Sequence, residues 1–204
     1  MDETKIASKE PAWSDLMAML RSIVMYDHVF ARGFYYKNAA GDAGITPAQA
    51  WVACYRIKHD SICYLVKEEI FERDSIVLFA DAIYELLCGC WPLEVQTSPM
   101  ELLELADNIA LAKGRDYTKG TNDRTANFKE AAISAGISPM QAWLVFYQKH
   151  HAAICNYAKS GGQSESEPIL QRLADALNYL RLGWLIVRET VDAARPLIEN
   201  PPLA

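Results

Sequence analysis

Three stretches in the later half of the chain gather polar side chains suited to a small anionic molecule. The first is Lys149-His150-His151, on the otherwise apolar run QAWLVFYQKHHAAICNYA. Polar groups on such a segment need partners once buried. They are read either as hydrogen-bonded core histidines beside a snorkelling lysine, or as the wall of a ligand site. The second is Arg172, Asp175, Asn178 and Tyr179, whose spacings of three and four put them on one helix face. Asp175 is expected to pair with a His or Lys of the preceding helix. The third is KGRDYTKGTNDRTANFK, residues 113–129, where Lys113, Arg115, Lys119, Arg124 and Lys129 face only Asp116 and Asp123 in charge. It also carries Tyr117 and Asn127. A basic, glycine-containing loop before a helix start suits phosphate, because cations and backbone N–H groups converge there. The alternative is a solvated surface loop.

In the ligand reading, Arg115, Arg124, Lys149 and Arg172 meet phosphate groups, and Lys119, Lys129, Asn127 and His150 add to the same polar wall. Tyr117, Phe128, Trp143 and Tyr179 either stack on a base or fill the core. Metal-dependent hydrolysis asks for several carboxylates converging on Mg²⁺. The segment from Pro139 to Ser160 has no acid at all. Glu68-Glu69-Ile70-Phe71-Glu72 has an EExxE pattern but falls at a helix end and is read as solvated. No nucleophile elbow, P-loop or Rossmann glycine fingerprint is present. Binding without turnover and without a metal is therefore the first expectation. The alternatives are a Mg²⁺-dependent nucleoside phosphate hydrolase using Asp175 with Glu167 or Asp116, and a helical protein-interaction module.

The elements that would position these groups are written twice. GITPAQAW begins at Gly44 and GISPMQAW at Gly136. Aligned without gaps, residues 36–64 and 128–156 share 14 of 29 positions, each pair 92 residues apart. Two residues are then inserted, and Asp81 falls opposite Asp175. Two copies of so long a unit do not make a solenoid, and a pseudo-twofold pairing within one chain is expected. Residues 1–92 form the first, degenerate repeat, and 93–204 the second, polar-rich repeat with a C-terminal tail.

In each octet a Thr or Ser N-cap precedes Pro at the first helical position and Gln at the third, a capping box. Gly44 and Gly136 close the helix before it. Ser98-Pro99-Met100-Glu101 is a third start of this kind. The expected helices are about 13–31, 47–69 and 73–91, then 99–113, 139–159 and 167–191, with a short extra one near 125–134. Strand-like alternation is absent, so the class is all-α. Ile169, Leu173, Leu177, Leu180, Trp184, Val187 and Val191 make the clearest apolar stripe. The nearly all-apolar helix 139–159 belongs in the middle of a bundle. The proline-rich tail ARPLIENPPLA is expected to fray or form an extended strap.

The net charge of −6 argues against a duplex nucleic acid partner, which needs clustered cations over a broad surface. Five cysteines without CxxC spacing read as free thiols of a reducing compartment. The N-terminus lacks signal-peptide organisation and no apolar run reaches the roughly 18 residues of a membrane span. A soluble, cytoplasmic protein is expected, without a membrane partner and with scope to form a homo-oligomer.

The series RDY…NFK, SPMQAW, KHHAAI and SEPILQRLADALNYL resembles phage-encoded all-α relatives of the MazG-type and dimeric dUTPase-type nucleotide pyrophosphohydrolases. The resemblance covers residues 98–188, and 14–91 through the internal repeat. It implies a helical, MazG-like fold acting on nucleoside phosphates, with sites between helices, in host cytoplasm. That superfamily carries EExxE on one helix and ExxD on the next to hold Mg²⁺. Here Asp175 stands for the final Asp with Arg172 in place of the Glu, and the second copy has no acids at the EExxE position. The resemblance thus implies a nucleotide-shaped pocket rather than hydrolysis, and sequestering of a host defence nucleotide is the expected use.

Overall fold

The computed structural model describes residues 14–16, 18–22, 28–118, 123–163 and 167–199, with only the backbone for 28–30, 114–118 and 195–199. After helical residues at 14–16 and 18–22, the chain forms α1 (His28–Ala43), α2 (Pro47–Glu68), α3 (Arg73–Cys88), α4 (Pro99–Thr118), α5 (Ala126–Ala135), α6 (Pro139–Lys159) and α7 (Ile169–Glu199). No strand occurs among the described residues, and the class is all-α.

Both repeated octets form the expected corner. Gly44 and Gly136 adopt φ of 67° and 66°, a left-handed turn that a Cβ disfavours. Thr46 Oγ1 accepts the Gln49 N–H at 3.2 Å, and the Thr46 N–H donates to Gln49 Oε1 at 2.9 Å. Ser138 and Gln141 repeat the exchange at 3.2 and 2.9 Å. Ser98 and Glu101 do the same ahead of α4. These reciprocal bonds satisfy N–H groups that a helix start leaves open, so three helices begin where the sequence places them.

Three boundaries and one pattern of burial differ from expectation. Helix α1 occupies residues read as the end of one helix and a connection. Its last turns correspond to α5, so α5 is not an element peculiar to the second half. Helix α4 continues past Gly114 to Thr118, so the first residues of the expected basic loop are helical. One glycine costs a helix only about 1 kcal/mol. Helix α7 runs through Pro196 to Glu199, where a strap was expected. Lastly, α6 packs between α2, α5 and α7 but is not buried all round: Val145 and Phe146 are exposed.

One apolar core draws on both halves of the chain. The α7 stripe supplies Leu173, Leu177, Leu180, Trp184 and Val187, all buried. Trp51 and Trp143 are fully buried, and their indole N–H groups donate to the carbonyls of Glu85 (2.8 Å) and Tyr179 (2.6 Å). Beneath them lie Gly89 and Gly183. A Cβ at Gly89 would stand 2.5 Å from the Trp51 ring, and one at Gly183 would stand 2.5 Å from Phe79 and 2.7 Å from Trp143. The tryptophans therefore need glycine opposite, for close approach rather than for backbone freedom.

Where α2 crosses α6, residues 92 positions apart meet each other. The Tyr55 and Tyr147 hydroxyls share a hydrogen bond of 2.6 Å. The His59 and His151 rings stack at 3.4 Å between centroids, 10° apart in plane.

Candidate functional site

A cavity of about 210 Å³ opens among α4, α5, α6 and α7. Its mouth carries Lys113 from the end of α4, Arg124 ahead of α5, Lys149 of α6 and Glu167 ahead of α7, all exposed. Its floor holds His150, Asp175 and Asn178, all buried, with Phe128 and Leu182 as apolar lining. Tyr179 forms one side, its ring stacked on His150 at 4.9 Å.

The local fold explains the placement. Lys149 and His150 are neighbours on α6, roughly 100° apart around the helix axis, so one reaches the rim while the other turns inward. Asp175, Asn178 and Tyr179 follow the three-and-four spacing of α7. The Ser138 cap fixes where α6 starts, and the Trp143 bond to the Tyr179 carbonyl ties α6 to α7 beside the cavity.

The wall is largely bonded from within. Lys113 Nζ donates to Asp175 Oδ1 at 3.0 Å, and Gln171 donates to Asp175 Oδ2 at 3.4 Å. The expected partner of Asp175 was on the middle helix, but the lysine comes from α4. Asn178 donates to the Ala106 carbonyl at 2.8 Å and accepts from Arg181 at 3.2 Å. Arg181 is fully buried and reaches Asp107 at 2.7 Å. This chain pins the Asn178 amide to α4.

Two polar atoms of the wall have no such partner among the described residues: His150 Nδ1 and Asn127 Oδ1 are buried and unbonded. Burial pushes the His150 imidazole below its ordinary pKa; Asp175 pulls it up, while Lys149, Arg172 and Lys113 push it down. The ring is therefore neutral near pH 7. A neutral imidazole offers one donor and one acceptor.

The other expected site residues fall as follows. Lys129 holds Asp123 at 2.8 Å and Glu189 at 2.9 Å, fastening α5 to α7 away from the cavity lining. Against the cost of its own burial, bonds from Lys129 and Thr125 hold the Asp123 carboxyl below its usual range. Arg172 pairs with Glu167 at 3.0 Å; the glutamate lines the cavity and the arginine does not. Lys119 lies outside the described residues, and the side chains of Arg115, Asp116 and Tyr117 do as well. Trp143 is fully buried and serves the core, while Phe128, buried as well, also lines the cavity. His151 faces His59 rather than the cavity.

Sequence reasoning missed the Lys113–Asp175 pair and the buried Arg181. For Arg181 a signal existed, since it stands three residues beyond Asn178 on the same helix face. For Lys113 none did, because the pair joins helices 62 positions apart.

Glu68, Glu69 and Glu72 of the EExxE string are exposed at the α2–α3 corner, as the sequence reading has them. There Glu69 caps α2 in a left-handed conformation and Glu72 precedes α3. Among the described residues no group of three or more His, Cys, Asp or Glu is arranged to hold a metal ion. All five cysteines are free. No described helix is long and apolar enough to cross a membrane.

Fold and site together define an all-α bundle with one polar, cation-rimmed cavity in its later half. No protein-family model, curated protein or solved structure matches the chain.

Proposed function

We propose that the chain binds a nucleotide or nucleotide-derived signalling molecule in the cavity of its second half and does not hydrolyse it. The observation that carries this reading is the combination of the cationic mouth with His150 Nδ1 and Asn127 Oδ1, two buried polar atoms left for a guest to satisfy. Lys149 at the rim makes no ion pair among the described residues and is placed to meet phosphate. Tyr179 and the neutral His150 offer ring faces beside it. Binding rather than turnover is favoured by the two carboxylates on the wall: Asp175 is engaged by Lys113, and Glu167 by Arg172.

The repeated sequence and the self-contacts at Tyr55–Tyr147 and His59–His151 support an internal duplication in which one chain stands for a MazG-like pair of subunits. In that reading the first repeat is structural and the second holds the site. Sequestration of a defence nucleotide by a phage protein is the use that follows from the resemblance, with no role for duplex nucleic acid.

The test is a thermal-shift panel of nucleotides with and without Mg²⁺, paired with assays of phosphate and pyrophosphate release. The expected outcome is stabilisation without release, reduced at least tenfold in apparent affinity by Lys149→Ala. Steady release with Mg²⁺ would identify a hydrolase instead. No shift by any nucleotide would leave an interaction module.

A further inference from the structure

The first half contains the counterpart of the cavity wall, and there the wall is already occupied. With the offset of 92, Arg32 and Tyr36 correspond to Arg124 and Phe128. Beyond the two-residue insertion, Glu85 corresponds to Tyr179. Structure supports the register, since Trp51 and Trp143 donate to the carbonyls of these same two residues. The second-half trio, Arg124, Phe128 and Tyr179, lines the cavity.

In the first-half trio, a carboxylate is bound. Glu85 is buried at 2% exposure, and the Tyr36 hydroxyl donates to its Oε1. Arg32 Nε donates to that hydroxyl at 3.1 Å, and its Nη2 stands 3.6 Å from Glu85 Oε2. Burial and the neighbouring carboxylate push the Tyr36 phenol well above its ordinary range, so the hydroxyl keeps its proton and stays a donor. A buried carboxylate held by one neutral donor and one guanidinium is how a protein recognises an anion of that size. The second half replaces Glu85 by Tyr179 and Tyr36 by Phe128, and it is there that a cavity is found.

We infer that the first half is the same site closed from within: Glu85 stands where the ligand's anionic group stands in the second half, so Arg124 is the residue that recognises that group. This rests on the binding reading above and specifies it. The ligand presents one carboxylate- or phosphate-sized anion against Arg124, in the gap between α5 and α7. Its ring lies toward Tyr179 and His150, and Lys149 meets further charge at the rim.

Two experiments separate this inference from the reading it deepens. In the first, calorimetric titrations use AMP, GMP, CMP and UMP and their uncharged nucleosides as probes. Wild type is compared with Arg124→Ala and with the double variant Phe128→Tyr/Tyr179→Glu, which installs the first half's occupant in the second. Thermal melts confirm that each variant folds. The expected result is that wild type prefers a nucleotide to its nucleoside, and that both variants lose at least tenfold in nucleotide affinity. Wild-type binding that survives unchanged in both variants overturns the inference and leaves the binding reading intact.

The second experiment needs no nucleotide. Glu85→Ala removes the occupant, and acetate is added against chloride at equal ionic strength. Acetate is expected to raise the variant's melting temperature by several degrees more than that of wild type. Equal shifts in the two proteins overturn the inference, whatever the titrations show. If wild type binds none of the nucleotides but acetate rescues Glu85→Ala, the closed first site stands and the nucleotide reading falls.

Discussion

The two halves of the chain keep the same joints and differ in what fills them. Each has a capped middle helix, a buried tryptophan bonded to a carbonyl of the next long helix, and a glycine beneath that indole. Each also sets a cysteine against its histidine one turn earlier, at 3.3 Å in the first half and 3.5 Å in the second. The differences lie around these joints. Lys58, paired with Asp81 at 3.0 Å, corresponds to His150; Leu87 to Arg181; Glu85 to Tyr179. The packed frame tolerates exchange of its polar infill: around Glu85 the first half fills the position with its own side chains, while around Tyr179 the second half holds a cavity. A cavity lined by unpaired polar atoms is a stability cost that closed packing does not carry.

The largest expected effect tests whether the frames are equivalent. Trp51→Ala and Trp143→Ala each remove a fully buried indole and its hydrogen bond, and each should cost about 3–5 kcal/mol. Urea unfolding should place the two within about 1 kcal/mol of each other. A markedly milder Trp51→Ala would break the comparison.

Next come the glycines. Gly89→Ala and Gly183→Ala drive a methyl group into an indole, an overpacking cost of about 1–3 kcal/mol in either half. Differential scanning calorimetry should show both melting points lowered. An unchanged Gly183→Ala would mean that α3 and α7 separate easily.

Acid should weaken the contact between the halves. Burial, with the adjacent His59 and the cations Arg56 and Lys159, lowers His151 to about 3. Burial likewise lowers His59, against the opposing pull of Asp60 and Gln148. The folded state therefore holds these rings neutral while the unfolded chain takes up protons below about pH 6.5. Their contribution is complete above that pH and is lost as pH falls toward the folded values. Between pH 7 and pH 5 the loss from His151 alone should be about 2 kcal/mol, read as a drop in urea midpoint. His151→Gln should flatten that dependence, and an unaltered slope would count against the stacked neutral pair.

The smallest effect is expected at Arg181. Replacing it by Leu, as in the first half's Leu87, together with Asp107→Asn removes the ion pair as a whole, a change often close to neutral, here within about 1 kcal/mol. Nucleotide affinity should nevertheless fall, because Asn178 loses the arginine that orients it. Unaltered affinity would remove Asn178 from the binding wall.

Much of this frame was legible in the residues themselves. The octets, the α7 stripe and the three-and-four spacing of Asp175, Asn178 and Tyr179 are local patterns, and short-range sterics and hydrogen bonding decide them. What stayed illegible depends on partners far along the chain. Pro196 and Gly114 read as breaks, because only the surrounding helix outweighs their local cost. Helix α1 escapes the sequence pattern because its counterpart α5 reads as an addition to the second half. The pairing of Lys113 with Asp175 and the stacking of His59 on His151 arise where helices cross, and no sequence window contains both partners. The basic run 113–129 was recognisable as charge. Its division into a rim cation, an α5–α7 fastener and a helical stretch was not.

The central claim is that the second half alone offers a cavity for an anionic, ring-bearing guest. A crystal structure of the wild-type chain soaked with a mixture of nucleotides tests it most directly. The account predicts density in the space bounded by Arg124, Lys149 and Tyr179, with an anionic group on Arg124 and an intact phosphoester. Density confined to the first half or to the outer surface, or an empty cavity at saturating nucleotide, would contradict it.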